Sequence, residues 1–191
     1  MDVTIYRDGC ISNIRFKDGG VVEKPLTKIG ESKKTGTIVT FLPNPEIFKN
    51  CQFSYTTIRE RMQENAFLQS GLKVEINDEE DNKHESFCYE NGLVSFVEYI
   101  NEDKTTLNKV LSFSGKKNNM EVDIALQYTN TYNENILSFV NNVKTVDGGT
   151  HEVGFKTGIT KAFNDYIKDN KLLKGSTLDG SDVREGLTAV I

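Results

Sequence analysis

The chain has 191 residues, 37% of them apolar and 27% charged, with a net charge of −5 and a mean hydropathy of −0.46. That length buries a core as one domain or as two small ones, and the composition is that of a soluble globular protein. The acidic balance excludes a chain that grips nucleic acid with its whole surface. No apolar run approaches the ~18 residues of a membrane span, the first residues are no secretory signal, and a cytoplasmic address is expected. Cys10, Cys51 and Cys88 are odd in number and far apart, and His84 and His151 match no ligand spacing, so reduced thiols and no metal site are expected.

Residues 3–7 (VTIYR) and 11–16 (ISNIRF) alternate around Asp8-Gly9, which predicts a β-hairpin with a tight turn. Gly19-Gly20 and Pro25 predict a loop. The β-branched run 37–42 (TIVTFL), stopped by Pro43 and Pro45, predicts a buried strand. From Ser54 the residues Ile58, Met62, Ala66 and Phe67 recur at helical spacing, with Ser54 as cap and Gly71 past the end. Residues 72–76 and 86–89 flank the acidic turn NDEEDNK and predict a second hairpin with a solvated tip. Leu93, Phe96, Val97 and Ile100 share a helical face, and the polar connector 101–108 after them marks the neighbourhood of a domain boundary.

Beyond it, 110–113, 122–128 and 136–143 read as three strands of a mostly antiparallel sheet, the last two joined by the turn TNTYNEN. Phe155, Ile159, Ala162, Phe163 and Tyr166 form an apolar stripe that predicts a helix packed on that sheet, with Thr150 as its cap. A glycine-broken loop at 174–182 (KGSTLDGSD) leads to a last strand at 187–191 (LTAVI). No segment repeats.

Three motifs bear on chemistry. In KKTGTIVTF, Gly36 before Thr37 leaves room for a flat ligand that the threonine hydroxyls can meet directly or through water, although the same triplet also serves as a plain strand start. Arg7, beside a tight turn, reaches over a pocket mouth or simply pairs with Asp8 or Asp18. Gly148-Gly149 ahead of a helix either cradles a phosphate with Lys156 nearby or supplies positive φ for a turn. At about 100° per residue, Lys156 lies well round the helix from Lys161 and Lys168, so no basic track forms. No P-loop, zinc helix or nucleophile elbow occurs. On spacing alone this is a two-part α+β chain.

Taken together, TIYRDG, KKTGTIVTFLPNPEIF, RERMQENAFLQSGLKVEINDE, FCYENGLVSFVEYIN, VDIALQY, NILSFVNNVKTVDGGTHEVGFKTGIT and DGSDVREGLTAVI resemble, in order, the ATPase subunit of bacterial type IIA DNA topoisomerases. That family comprises the B subunits of topoisomerase IV and of gyrase, and YENG and ILSFVNNV look more like the former. The resemblance implies the C-terminal part of a Bergerat-type ATPase sheet in residues 1–90, then a ribosomal-protein-like βαβ transducer domain in 91–191. It implies a cofactor-binding role for Thr37, which helps hold adenine through water, for Gly36 beside it, and for Arg7, which flanks the pocket mouth where aminocoumarin-type inhibitors lie. The resemblance also implies that Lys156 falls at a basic position facing a DNA passage, as a weak DNA contact, and that the glycines of DGGTH serve a turn.

The resemblance further implies ATP and Mg2+ as cofactors of the intact enzyme. The implied partners are DNA, the breakage-reunion protein of the same enzyme and a second copy of the ATPase chain. The family's catalytic glutamate, magnesium-binding asparagine, adenine-reading aspartate and glycine-rich lid are expected before Met1, and its phosphate-reaching lysine past Ile191. These residues are therefore expected to be an inactive section of an ATP-driven enzyme, with no catalytic residue of their own. The alternative is a free-standing nucleic-acid or protein adaptor that reuses the fold.

Overall fold

A computed structural model describes residues 1–173 and 175–191. Lys174, the first residue of the loop expected at 174–182, lies outside the described residues. The chain divides into two compact units, Met1–Ser54 and Tyr55–Ile191, both of which contain strands and the second all of the helices described.

In the first unit, β1 (Asp2–Arg7), β2 (Cys10–Lys17), β3 (Val21–Glu31) and β4 (Gly36–Thr40) form an antiparallel sheet in the order β3-β2-β1-β4. The expected hairpin is there: Asp8 (φ 51°) and Gly9 (φ 77°) make the left-handed turn that matches strand twist. Of the loop expected at Gly19-Gly20 and Pro25, the glycines do form a turn, but Pro25 lies within strand β3. Proline survives there because β3 is an edge, and Pro25 sits between Lys24 and Thr27 where the pairing with β2 slips in register. The strand expected at 37–42 forms but is exposed, not buried, because β4 is the other edge of this sheet.

The second unit opens with α1 (Tyr55–Leu68), the hairpin β5 (Val74–Asp78) and β6 (Lys83–Phe87), and α2 (Leu93–Ile100). Phe67, 1% exposed, fastens them: its ring stacks on Tyr89 at 3.7 Å and on Phe96 of α2 at 4.7 Å. Ile58, expected on the buried face of α1, is exposed, and Ala66 packs with Ile76 and Phe87 of the hairpin.

The main sheet comprises β7 (Leu111–Lys117), β8 (Met120–Tyr128), β9 (Asn135–Leu137) and β12 (Leu187–Val190) in the order β7-β8-β12-β9. Residues 136–143, expected as one strand, break into the end of β9, then β10 (Phe139–Val140) and the start of β11 (Val143–Lys144). Asn141 (φ 50°) and Asn142 (φ 64°) turn the chain between the last two, a conformation asparagine tolerates well. The turn TNTYNEN does not join neighbouring strands. β12 lies between β8 and β9, antiparallel to the first and parallel to the second.

The β9-to-β12 crossover contains α3 (Thr150–Asp169) and α4 (Gly180–Arg184). Alternation along β12 sorts the core into two layers. Val190 packs with Ala125, Phe96 and Val97 towards α2, and Leu187 and Ala189 pack with Leu126 beneath Phe155 and Ile159 of α3. Further along the expected stripe, Ala162, Phe163 and Tyr166 remain exposed. Gly149, not Thr150, caps α3, and Thr150 is already helical. Residues 180–182, expected in a loop, begin α4, because Asp179 and Asp182 form a reciprocal capping box.

Candidate functional site

Register puts Arg7 and Thr37 together. Paired residues of antiparallel strands share a face, and Thr37 lies opposite Ile5, two residues before Arg7. Thr37 and Arg7 are thus diagonal neighbours on one face of the first sheet. Ser12, opposite Ile5, and Cys10, opposite Arg7, complete its polar end, while Val3, Ile14 and Val39 continue it as an apolar floor. Such a floor with a hydroxyl and a guanidinium at one end suits a flat heteroaromatic ligand.

Gly36 lies opposite Tyr6 with φ at 144°, and open space surrounds the position its Cβ would take. Backbone conformation, rather than a close neighbour, calls for glycine there. Arg7 Nε sits 3.5 Å from Asp8 Oδ2 with both side chains over 80% exposed, and so loose an ion pair costs little to give up. The cavity of about 930 Å³ in this unit is lined by Phe16, Phe41, Ile47, Phe48 and Phe53 and excludes Arg7, Gly36 and Thr37.

Lys156 occupies a different setting in the second unit. Its ammonium lies 2.7 Å from Glu134 Oε1 and 2.9 Å from Glu152 Oε1, and Arg184 Nε donates to Glu134 Oε2 at 2.6 Å. Burial alone would raise the Glu134 carboxyl, but the hydrogen bonds from Lys156 and Arg184 outweigh it and hold the group below the usual glutamate range. Glu152 is lowered mainly by Lys156, with Ser138 assisting, and Lys156 is raised by Glu134 and then Glu152. Lys161 pairs with Asp165 along the same helix.

At Gly148-Gly149, the Gly148 amide (φ 72°) donates to the Thr145 carbonyl at 3.0 Å, and the Glu152 carboxylate stands against Gly148. An acidic side chain thus already complements the start of α3, in keeping with a turn. Ser138, Thr145 and Glu134, which no motif in the sequence singles out, are brought to this helix by the β9 and β10–β11 segments. Among the described residues no group of three or more His, Cys, Asp and Glu side chains could hold a metal ion, and no helix is long and apolar enough to cross a membrane.

The chain is similar to the topoisomerase 4 B subunit of Bacillus subtilis (strain 168), with 50% identity over 193 residues that cover 100% of this chain and 30% of the relative. It is 52% identical over 196 residues to the topoisomerase 4 B subunit of Staphylococcus aureus (strain Mu50 / ATCC 700699), again covering 100% of this chain and 30% of that one. The chain therefore spans about a third of the length of these curated relatives. Among solved structures, the 43K ATPase domain of Thermus thermophilus gyrase B in complex with an aminocoumarin superposes with a TM-score of 0.84 and 38% identity, covering 99% of this chain and 53% of that one. The family profile for DNA gyrase B matches residues 92–191, more than half of the chain. The chain belongs to the DNA gyrase B family.

Proposed function

We propose that these residues are a section of the ATP-driven subunit of a type IIA DNA topoisomerase, of the topoisomerase IV kind, which couples ATP binding and hydrolysis to DNA strand passage. The observation that carries the reading is the identity of about 50% with named topoisomerase 4 B subunits along the whole chain. In this reading residues 1–90 complete a Bergerat-type nucleotide domain and 91–191 belong to the ribosomal-protein-like transducer. The parallel β9–α3–α4–β12 crossover supports the second half of that division. The free-standing adaptor draws no support from these relatives.

Within the site, Thr37 meets the adenine through water, Gly36 gives the strand the backbone shape that presents it, and Arg7 covers the pocket mouth. That the two side chains share a face supports this assignment. The aminocoumarin complex of the Thermus relative suits the same mouth. Magnesium ligation and the hydrolytic base lie with other parts of the intact protein, as the family resemblance implies. DNA, the breakage-reunion protein and a second ATPase chain are the partners, in the cytoplasm. Lys156 is placed to meet DNA only if phosphate replaces Glu134 and Glu152 as its counter-charge.

A chimera tests the reading: the Bacillus relative with its matching segment replaced by these residues. Thr37→Val removes one hydroxyl at nearly constant volume and is expected to raise KM for ATP about fivefold. Thr40→Val, on the opposite face of the same strand, leaves KM unchanged. Equal effects of the two substitutions contradict the site.

A further inference from the structure

Arg61 lies on α1, the first element of the second compact unit. Its guanidinium donates to the carbonyl of Asn142 at 2.9 Å, a contact across 81 positions, and is pinned by Glu64 one turn further on. Asn142 belongs to the left-handed turn between β10 and β11. On the flanks of that hairpin the Thr145 amide and hydroxyl both donate to the Ser138 carbonyl, at 2.8 and 2.9 Å. Ser138, 3% exposed, donates its own hydroxyl to Glu152 at 3.0 Å, and Thr145 Oγ1 stands 3.2 Å from His151 Nε2. Direct contacts therefore run from the middle of α1, through the hairpin, to the first turn of α3.

We propose that Arg61 is a positioning residue that couples α1 to the head of α3, so that a displacement of α1 in the nucleotide cycle is passed to the long helix of the second unit. The inference rests on reading the chain as part of an ATP-driven enzyme. A contiguous set of contacts is one route for such coupling, and its proof is energetic. Arginine suits the task because its planar fork satisfies a carbonyl and a carboxylate together. Phe67 holds α1 near its C-terminal end against α2. Tyr55 and Arg59 fasten its earlier turns to Glu85 of β6, and Arg61 ties the same helix to the β10–β11 hairpin, so α1 and that hairpin are joined directly.

In the chimera, Arg61→Ala is expected to lower the DNA unlinked per ATP hydrolysed about tenfold, with KM for ATP unchanged. Arg61→Lys, which keeps a cationic donor on a similar stem, restores most of the ratio. An unchanged ratio, or an equal fall in hydrolysis and unlinking, overturns the proposal. Hydrogen exchange on the 191-residue chain tests the contact without relying on the functional reading. Arg61→Ala should speed exchange at the Thr145 and Val153 amides about tenfold while the β5–β6 hairpin is unaffected, and unaltered exchange at Thr145 and Val153 overturns the coupling. If the unsubstituted chimera unlinks no DNA while exchange responds as expected, the functional reading fails and the contact stands.

Discussion

At Gly186 one hydrogen in place of a methyl group decides whether β12 can take its position. The residue has φ near 70°, and a Cβ there would lie 2.4 Å from the Thr129 carbonyl and 2.6 Å from that of Thr131. Both carbonyls belong to backbone, so neither can swing aside. Gly186→Ala combines positive-φ strain with this overlap and is expected to cost more than about 3 kcal/mol, read from the denaturant midpoint. A loss under about 1 kcal/mol would show that the crossover is more yielding than its geometry implies. Nothing local in the sequence marks this glycine, because the atoms it must clear lie more than fifty positions earlier. Arg7 and Thr37 stand in the same relation: each is visible in the sequence as a candidate, but their shared face depends on β4 pairing with β1 across a long connection.

Among elements, the legible ones are those whose signals are local. The Asp8-Gly9 hairpin, α1 and the acidic-tipped β5–β6 hairpin follow from turn residues and periodicity within a few positions. β3 escapes such reasoning because Pro25 reads as a breaker until one knows that the strand is an edge, and α4 because a capping box of two aspartates hides inside a glycine-rich loop. The insertion of β12 between β8 and β9 is a non-local choice that no spacing announces. Glu134 then holds the crossover together by bridging Lys156 of α3 and Arg184 of α4.

Because Glu134 and Glu152 titrate below their unfolded values, they bind fewer protons when folded. Their contribution is present above the unfolded glutamate value of about 4.3 and fades as pH falls through the lower folded value. Lys156, raised, contributes at neutral pH and fades only as pH rises past its folded value. Glu134→Gln should accordingly destabilise the chain by about 1–2 kcal/mol at pH 7 and by less at pH 3. A loss of the same size at both pH values would mean that charge at Glu134 is not what secures the two helices.

For the molecule as a whole, the chain, with its two compact units, matches relatives of which it is about a third. The residue-level geometry gives the first unit a face fit for a flat ligand, and the element-level contacts give the second a path from α1 to α3. Family membership is legible because seven motifs keep their order, whereas the path is not, since its contacts join distant segments. The most direct test is unlinking of catenated DNA by the chimera assembled with the Bacillus breakage-reunion protein. The account predicts ATP-dependent unlinking within about tenfold of the parent enzyme; a folded chimera that binds its breakage-reunion partner yet neither hydrolyses ATP nor unlinks DNA contradicts it.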